Sequence, residues 1–234
     1  MENVISKTVI ETDDRIPVNE LMEFDPEKYK KSLAVAFIQF PGGRAGTAWR
    51  VSSKNLMLTN FHVVEDQKIN QAKINFYYAK NNEDNEKVSI KGEKLLIADS
   101  SLDFALFQLD PTAFKMGKLD KFGYLEIEPE GARIGEEIYI PQFPCNYKNH
   151  PGCPKVVALD TKVDDRLIPI TIEGFKNHGE AVYYSGDTGG GASGSPVIST
   201  ATNKVVAINN SNSGDKNWGI NMKPIWKKIK AFIE

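Results

Sequence analysis

The sequence predicts an all-β fold closed by one C-terminal α-helix. Three features carry that expectation: short runs rich in β-branched and aromatic residues, Gly, Pro, Asn and Asp between them, and helical periodicity confined to the end of the chain. A first group of runs comprises Ser32–Phe40, Gly46–Val51, Leu56–Thr59, Lys73–Tyr78, Val88–Ile97 and Phe104–Leu109. A second comprises Glu137–Ile140, Lys155–Leu159, Leu167–Ile172, Ala181–Tyr184, Pro196–Ile198, Lys204–Ile208 and Trp218–Asn221. Many short strands at regular spacing indicate a sandwich or barrel, not alternating strand–helix units. Between the groups, Asp110–Gly131 carries Pro111, Gly117, Gly123 and Pro129, as a connector does. From Pro224 onward, Ile225, Ile229 and Phe232, with Trp226 and Ile233, recur at helical spacing, opposite Lys227, Lys228 and Lys230. Pro224 suits a first helical turn, where its missing N–H would have no intrahelical acceptor anyway.

A chain of 234 residues buries roughly 70–75% of its unfolded surface, enough for a sizeable core. Its 29 basic and 31 acidic residues are well mixed, leaving no clustered basic face for nucleic acid. No apolar run approaches the roughly 18 residues that a membrane-spanning helix needs. The two cysteines, Cys145 and Cys153, lie in a turn-rich stretch around His150. They read as two loop thiols or one local disulfide; a structural zinc takes four protein ligands, and only three candidates are present. No metal site is expected. The first residues lack the basic start, apolar centre and small-residue cleavage site of a signal peptide. As written, the chain reads as cytoplasmic; a processed form would be secreted.

The strongest local signal is Asp187–Ile198, DTGGGASGSPVI. Three glycines followed by Ala-Ser-Gly-Ser-Pro cost backbone entropy and offer little to pack, a cost accepted where backbone must approach a ligand closely. An oxyanion hole has that requirement: backbone N–H groups must point where a carbonyl oxygen becomes negative. The donors would be Gly191 and Ser193, with Ser193 Oγ as nucleophile. A Gly-rich hairpin loop and a phosphate cradle are the competing readings, but for the cradle the stretch lacks the Lys-Ser/Thr ending and sits between strands. A serine hydroxyl needs a base, and the chain has three histidines. His150 and His178 lie in polar loops, whereas His62 follows a strand and precedes Val63-Val64. Asp103 opens the apolar run Phe104–Leu109, where a carboxylate is costly unless paired. It is the candidate for holding the imidazole in the correct tautomer.

The order His, Asp, Ser in the settings T-N-F-H-V-V, D-F-A-L and G-A-S-G-S-P resembles the chymotrypsin-like serine peptidases, most closely their bacterial glutamyl and lysyl endopeptidase branch. The separations, 41 residues and then 90, match one barrel donating base and acid and the next donating the nucleophile. Asp187-Thr-x-Gly-Gly, Ile140-Pro-Gln, His150-Pro-Gly and Val9-Ile10 before Asp13-Asp14-Arg15 are also similar to this branch. The resemblance implies two six-stranded antiparallel Greek-key barrels. Residues 1–30 would form an N-terminal arm, 31–115 the first barrel with His62 and Asp103, 116–130 a connector, 131–222 the second barrel with Ser193, and 223–234 the terminal helix. It implies a catalytic triad of His62, Asp103 and Ser193, substrate contacts at Asp187, Thr188, Asn209, Asn210 and Ser211, and no cofactor. Residues 1–8 would be a pro-segment if Val9 must become a free N-terminus.

Two departures from the branch's pattern stand out. Ala192 stands where relatives often carry Asn or Ser. Asn209 stands where glutamyl endopeptidases carry a histidine that helps bind the substrate carboxylate, so the likeness does not carry glutamate preference across. Asp187, six residues before Ser193, matches the spacing of a pocket-floor carboxylate that pairs with Lys or Arg, or else shapes the loop. The expected activity is a serine endopeptidase acting on protein or peptide substrates as a monomer, with no nucleic-acid or membrane partner. The alternative is a catalytically silent copy of the same fold that binds protein. An esterase on the α/β-hydrolase fold is disfavoured because its triad runs Ser, Asp, His in chain order.

Overall fold

The computed structural model describes residues 13–81, 84–145, 147–149, 152–167, 171–172, 175–176, 180–213 and 216–234. Strand β1 (Arg15–Pro17) leads into helices α1 (Leu21–Phe24) and α2 (Pro26–Ser32). Six strands follow: β2 (Val35–Gln39), β3 (Ala45–Val51), β4 (Leu56–Thr59), β5 (Lys73–Asn81), β6 (Asp84–Asp99) and β7 (Phe104–Leu109), with the one-turn α3 (Phe61–Val64) after β4. They close into an antiparallel barrel in the order β2-β3-β4-β7-β6-β5. Helix α4 (Pro111–Lys115) opens the connector. Then come β8 (Glu137–Gln142), β9 (Val156–Leu167), the short pair β10 (Thr171–Ile172) and β11 (Phe175–Lys176), β12 (Ala181–Tyr184), β13 (Pro196–Ser199), β14 (Val205–Ser213) and β15 (Lys216–Asn221). The order β9-β12-β15-β14-β13-β8, with β8 pairing back onto β9, makes the second barrel; β1 adds to β9. Helix α5 (Met222–Ile233) ends the chain. The expected two six-stranded antiparallel barrels with a terminal helix are present.

The strands read as apolar runs because both of their faces are buried. On β7, Ala105, Phe107 and Leu109 fill the first barrel, while Phe104 and Leu106 face a core shared with the second. On β12, Val182 and Tyr184 point into the second barrel, and Ala181 and Tyr183 into the shared core. Period-two alternation thus sorts one chain into three cores and clamps the barrels face to face. Met222, Ile225 and Ile229 of α5 close that shared core. Asn221 caps the helix, accepting from the Lys223 N–H, and Lys228 pairs with Asp99 at 2.6 Å, tying it to the first barrel.

Three local expectations change. The N-terminal arm folds into α1 and α2; Asp25 caps α2 by accepting from the Lys28 N–H, with Pro26 in the first turn. The run expected to start at Ser32 therefore starts at Val35, because Ser32 still belongs to α2. The expected run Lys155–Leu159 opens a longer strand, β9, which continues through Asp160 at φ 52° to Leu167, while Thr171–Ile172 at the end of the next expected run pairs with β11. Val9 and residues 1–8, together with His150 and His178, lie outside the described residues.

Candidate active site

Strands β4 and β7 are antiparallel neighbours, with Thr59 opposite Ala105. The chain leaving β4 and the chain entering β7 therefore meet at one barrel edge. Asn60 turns the first into α3 and donates from Nδ2 to the Asp103 carbonyl at 2.9 Å, fastening the two segments. Arg44 Nη1 donates to the carbonyls of His62 and Glu65 at 3.0 and 2.9 Å and holds the turn from outside. Asp103 sits at φ 43° and is fully buried. Its Oδ1 accepts from the His62 backbone N–H at 2.9 Å, and its Oδ2 lies 2.7 Å from His62 Nδ1. A carboxylate can only accept, so Nδ1 carries the proton and Nε2 is left as the ring's acceptor. The imidazole side chain is 31% exposed, so the pair has a dry side and a wet side.

Asp103 Oδ2 has a second partner, Asn210 Nδ2, at 2.5 Å. Asn210 lies on β14 in the other barrel, and its carbonyl accepts from Ser193 Oγ at 3.3 Å. One residue thus links the buried carboxylate to the serine. The Ser193 carbonyl accepts from the Thr47 N–H at 2.8 Å, which docks the Ser193 turn on β3.

The turn between β12 and β13 is shaped by glycine. Gly194 has φ 88°, and a side chain there would collide with the Thr47 carbonyl at 2.2 Å. Gly191 has φ 96° and lies against the Phe143 carbonyl and Cys145 Sγ. The Gly190 carbonyl accepts from the Cys145 N–H at 2.6 Å, and the Ala192 carbonyl from the Ser195 N–H at 3.0 Å. In a planar trans peptide the N–H points opposite its C=O, so these anchors turn the Gly191 and Ser193 N–H groups to the other side. Cys145 and Cys153 form a disulfide. That removes both thiols from any metal site and staples the loop that supports Gly190.

The remaining sequence candidates are placed as follows. Asp187 is 1% exposed and accepts from the Asp14 N–H at 3.0 Å. Carboxylate oxygens of Asp13, Asp14 and Asp187 lie within 4.8 Å of one another. Desolvation and the Asp187 charge push the Asp14 carboxyl up to about 7. Thr188 Oγ1 donates to Asn217 Oδ1 at 2.8 Å, and Asn217 Nδ2 donates to the Gly186 carbonyl at 2.7 Å. Asn209 is buried with both amide ends engaged. The Ser211 side chain lies outside the described residues; its backbone pairs with Trp218. Sequence reasoning missed Asn60, Arg44 and Thr47. Asn60 stood in the quoted T-N-F-H and could have been read as a turn residue, whereas nothing local marks Thr47.

Residues 46–208, well over half of the chain, match the trypsin-like peptidase domain. A glutamyl endopeptidase structure superposes with a TM-score of 0.68 over 96% of this chain and 98% of that one, at 18% identity. The active form of the Rv3671c protease of M. tuberculosis gives 0.64 over 98% and 92%, at 16% identity. Among curated proteins, the secreted RxLR effector protein 73 of Plasmopara viticola is 27% identical over 196 residues, 79% of this chain. The chain spans 45% of that relative's length. By the extent of the domain match, the chain belongs to the trypsin-like peptidase family.

Proposed function

We propose that the chain is a serine endopeptidase that cleaves peptide bonds through an acyl-enzyme on Ser193. The observation that carries this is the buried Asp103 carboxylate holding His62 Nδ1 at 2.7 Å while joined, through Asn210, to the Ser193 hydroxyl. In this reading Ser193 Oγ rotates from the Asn210 carbonyl to His62 Nε2, gives up its proton and attacks the scissile carbonyl. The carbonyl oxygen becomes negative between the Gly191 and Ser193 N–H groups, which have no protein acceptor among the described residues. His62 then protonates the leaving amine, and water, activated by His62, releases the acyl group. Substrate adds as an extended strand along Ile208–Ser211, using strand-type hydrogen bonds.

For specificity, the engaged Asp187 carboxylate and the Thr188–Asn217 pair support a pocket that is not built around a free acid for Lys or Arg. The competing reading, a silent protein-binding copy of the fold, draws on the Ser193 Oγ–Asn210 bond, which commits the hydroxyl proton to a backbone carbonyl. A fluorophosphonate probe separates the two. Wild type is expected to take up one phosphonyl group per chain and Ser193→Ala none. An unlabelled wild type, or a mutant labelled at the same rate, refutes the nucleophile assignment.

A further inference from the structure

Asn209 reaches the Ser193 turn from β14 and is 2% exposed. Its Nδ2 donates to the Ala192 carbonyl at 2.9 Å, and its Oδ1 accepts from the Tyr184 hydroxyl at 2.6 Å. A carbonyl only accepts, so the amide nitrogen must face Ala192 and its oxygen the phenol; turning the amide over would lose the bond to Ala192. Its backbone grips the same turn: the Asn209 N–H donates to the Ser195 carbonyl at 2.8 Å, and the Asn209 carbonyl accepts from the Gly194 N–H at 3.0 Å.

Among the described residues the Ala192 carbonyl receives three donors, the others being Ser195 Oγ at 2.7 Å and the Ser195 N–H at 3.0 Å. This carbonyl belongs to the same planar peptide as the Ser193 N–H. Holding the oxygen inside the barrel therefore aims the N–H outward. A half-turn of this peptide would present a carbonyl oxygen to the developing oxyanion and repel it. Position 192 is alanine, so its own side chain offers no polar anchor. The hold falls on Asn209 and Ser195.

We infer that Asn209 is a positioning residue for the oxyanion site and not a substrate contact. It keeps the Ala192–Ser193 peptide in the donating orientation, and Tyr184 keeps Asn209 in place. This deepens the acyl-transfer reading above and rests on it.

The test pairs Asn209→Leu, close to asparagine in shape but without hydrogen bonds, with Tyr184→Phe, which keeps the ring. Deleting an oxyanion donor outright costs about 10²–10³ in kcat. Loosening one through its anchor is expected to cost about 10–100-fold in Asn209→Leu, and less in Tyr184→Phe, with KM within about 3-fold. A peptide boronate, whose tetrahedral adduct puts a negative oxygen among the same donors, should lose affinity by the same factor as kcat. A reduced-amide peptide, with no carbonyl at the scissile position, should bind all three proteins equally. Equal losses for both inhibitors, or an unchanged kcat in a folded variant, overturn the inference; if Asn209→Leu fails to fold, Tyr184→Phe decides on the same ratios. A wild type that neither turns over peptide nor reacts with the fluorophosphonate removes the parent reading instead, a result distinguishable from either.

Discussion

Asp103→Asn is expected to lower kcat about 10⁴-fold while leaving the fold intact. The carboxylate accepts from three donors: the His62 N–H on Oδ1, and His62 Nδ1 and Asn210 Nδ2 on Oδ2. An asparagine must put its NH₂ group at one of those oxygen positions. At the Oδ2 position it would face Nδ1 as a donor, force the ring proton onto Nε2 and leave no base for Ser193. At the Oδ1 position it would meet the His62 backbone N–H donor to donor. Position 103 has φ 43°, in the left-handed region that asparagine tolerates better than most residues, so the backbone has no reason to move. Steady-state kinetics beside thermal unfolding checks this. A rate within tenfold of wild type would refute the tautomer role of Asp103.

Lys155→Met is expected to stabilise the protein by about 2–4 kcal/mol at pH 6. The Lys155 ammonium is buried with no hydrogen-bond partner among the described residues, 5.7 Å from the centre of the Phe143 ring. Desolvation lowers its pKa to about 7 from the ordinary 10.5. The folded state therefore holds this proton less tightly than the unfolded chain. Below pH 7 the full cost of burying the charge is present. Between pH 7 and 10.5 the folded amine is neutral while the unfolded one stays charged, so wild type gains stability as pH rises. Methionine keeps the straight stem and removes the charge. Urea unfolding at pH 6 and pH 10 should show the variant well ahead at pH 6 and the gap narrowing by pH 10. A variant less stable than wild type at pH 6 would show that the ammonium is compensated.

What was legible in the sequence was local. Glycine spacing in DTGGGASGSP, a histidine after an apolar strand and an acid before one need only neighbours along the chain. The strands were legible because buried β-branched runs are written contiguously. What escaped depends on pairs far apart in sequence. Whether Asp187 is open to substrate turns on the Asp14 N–H, 173 residues away. Asn210 read as a substrate contact, yet its side chain reaches Asp103 across 107 residues and two barrels. Asn209 stood at a position that relatives use for specificity, and its engagement rests on Tyr184, whose phenol showed no distinguishing local pattern. Helices α1 and α2 escaped for another reason: four and seven residues are too few to establish helical periodicity, although Asp25-Pro26 carried a start signal.

Acyl transfer through Ser193 requires a covalent acyl group on that one serine. Rapid acid quench of the wild type with a p-nitrophenyl ester of an acylated peptide, followed by mass spectrometry of the digest, tests it most directly. A nitrophenol burst of one equivalent per chain is expected, with the acyl mass on the peptide containing Ser193. Turnover with no acyl group held, or with the group on another side chain, would contradict it.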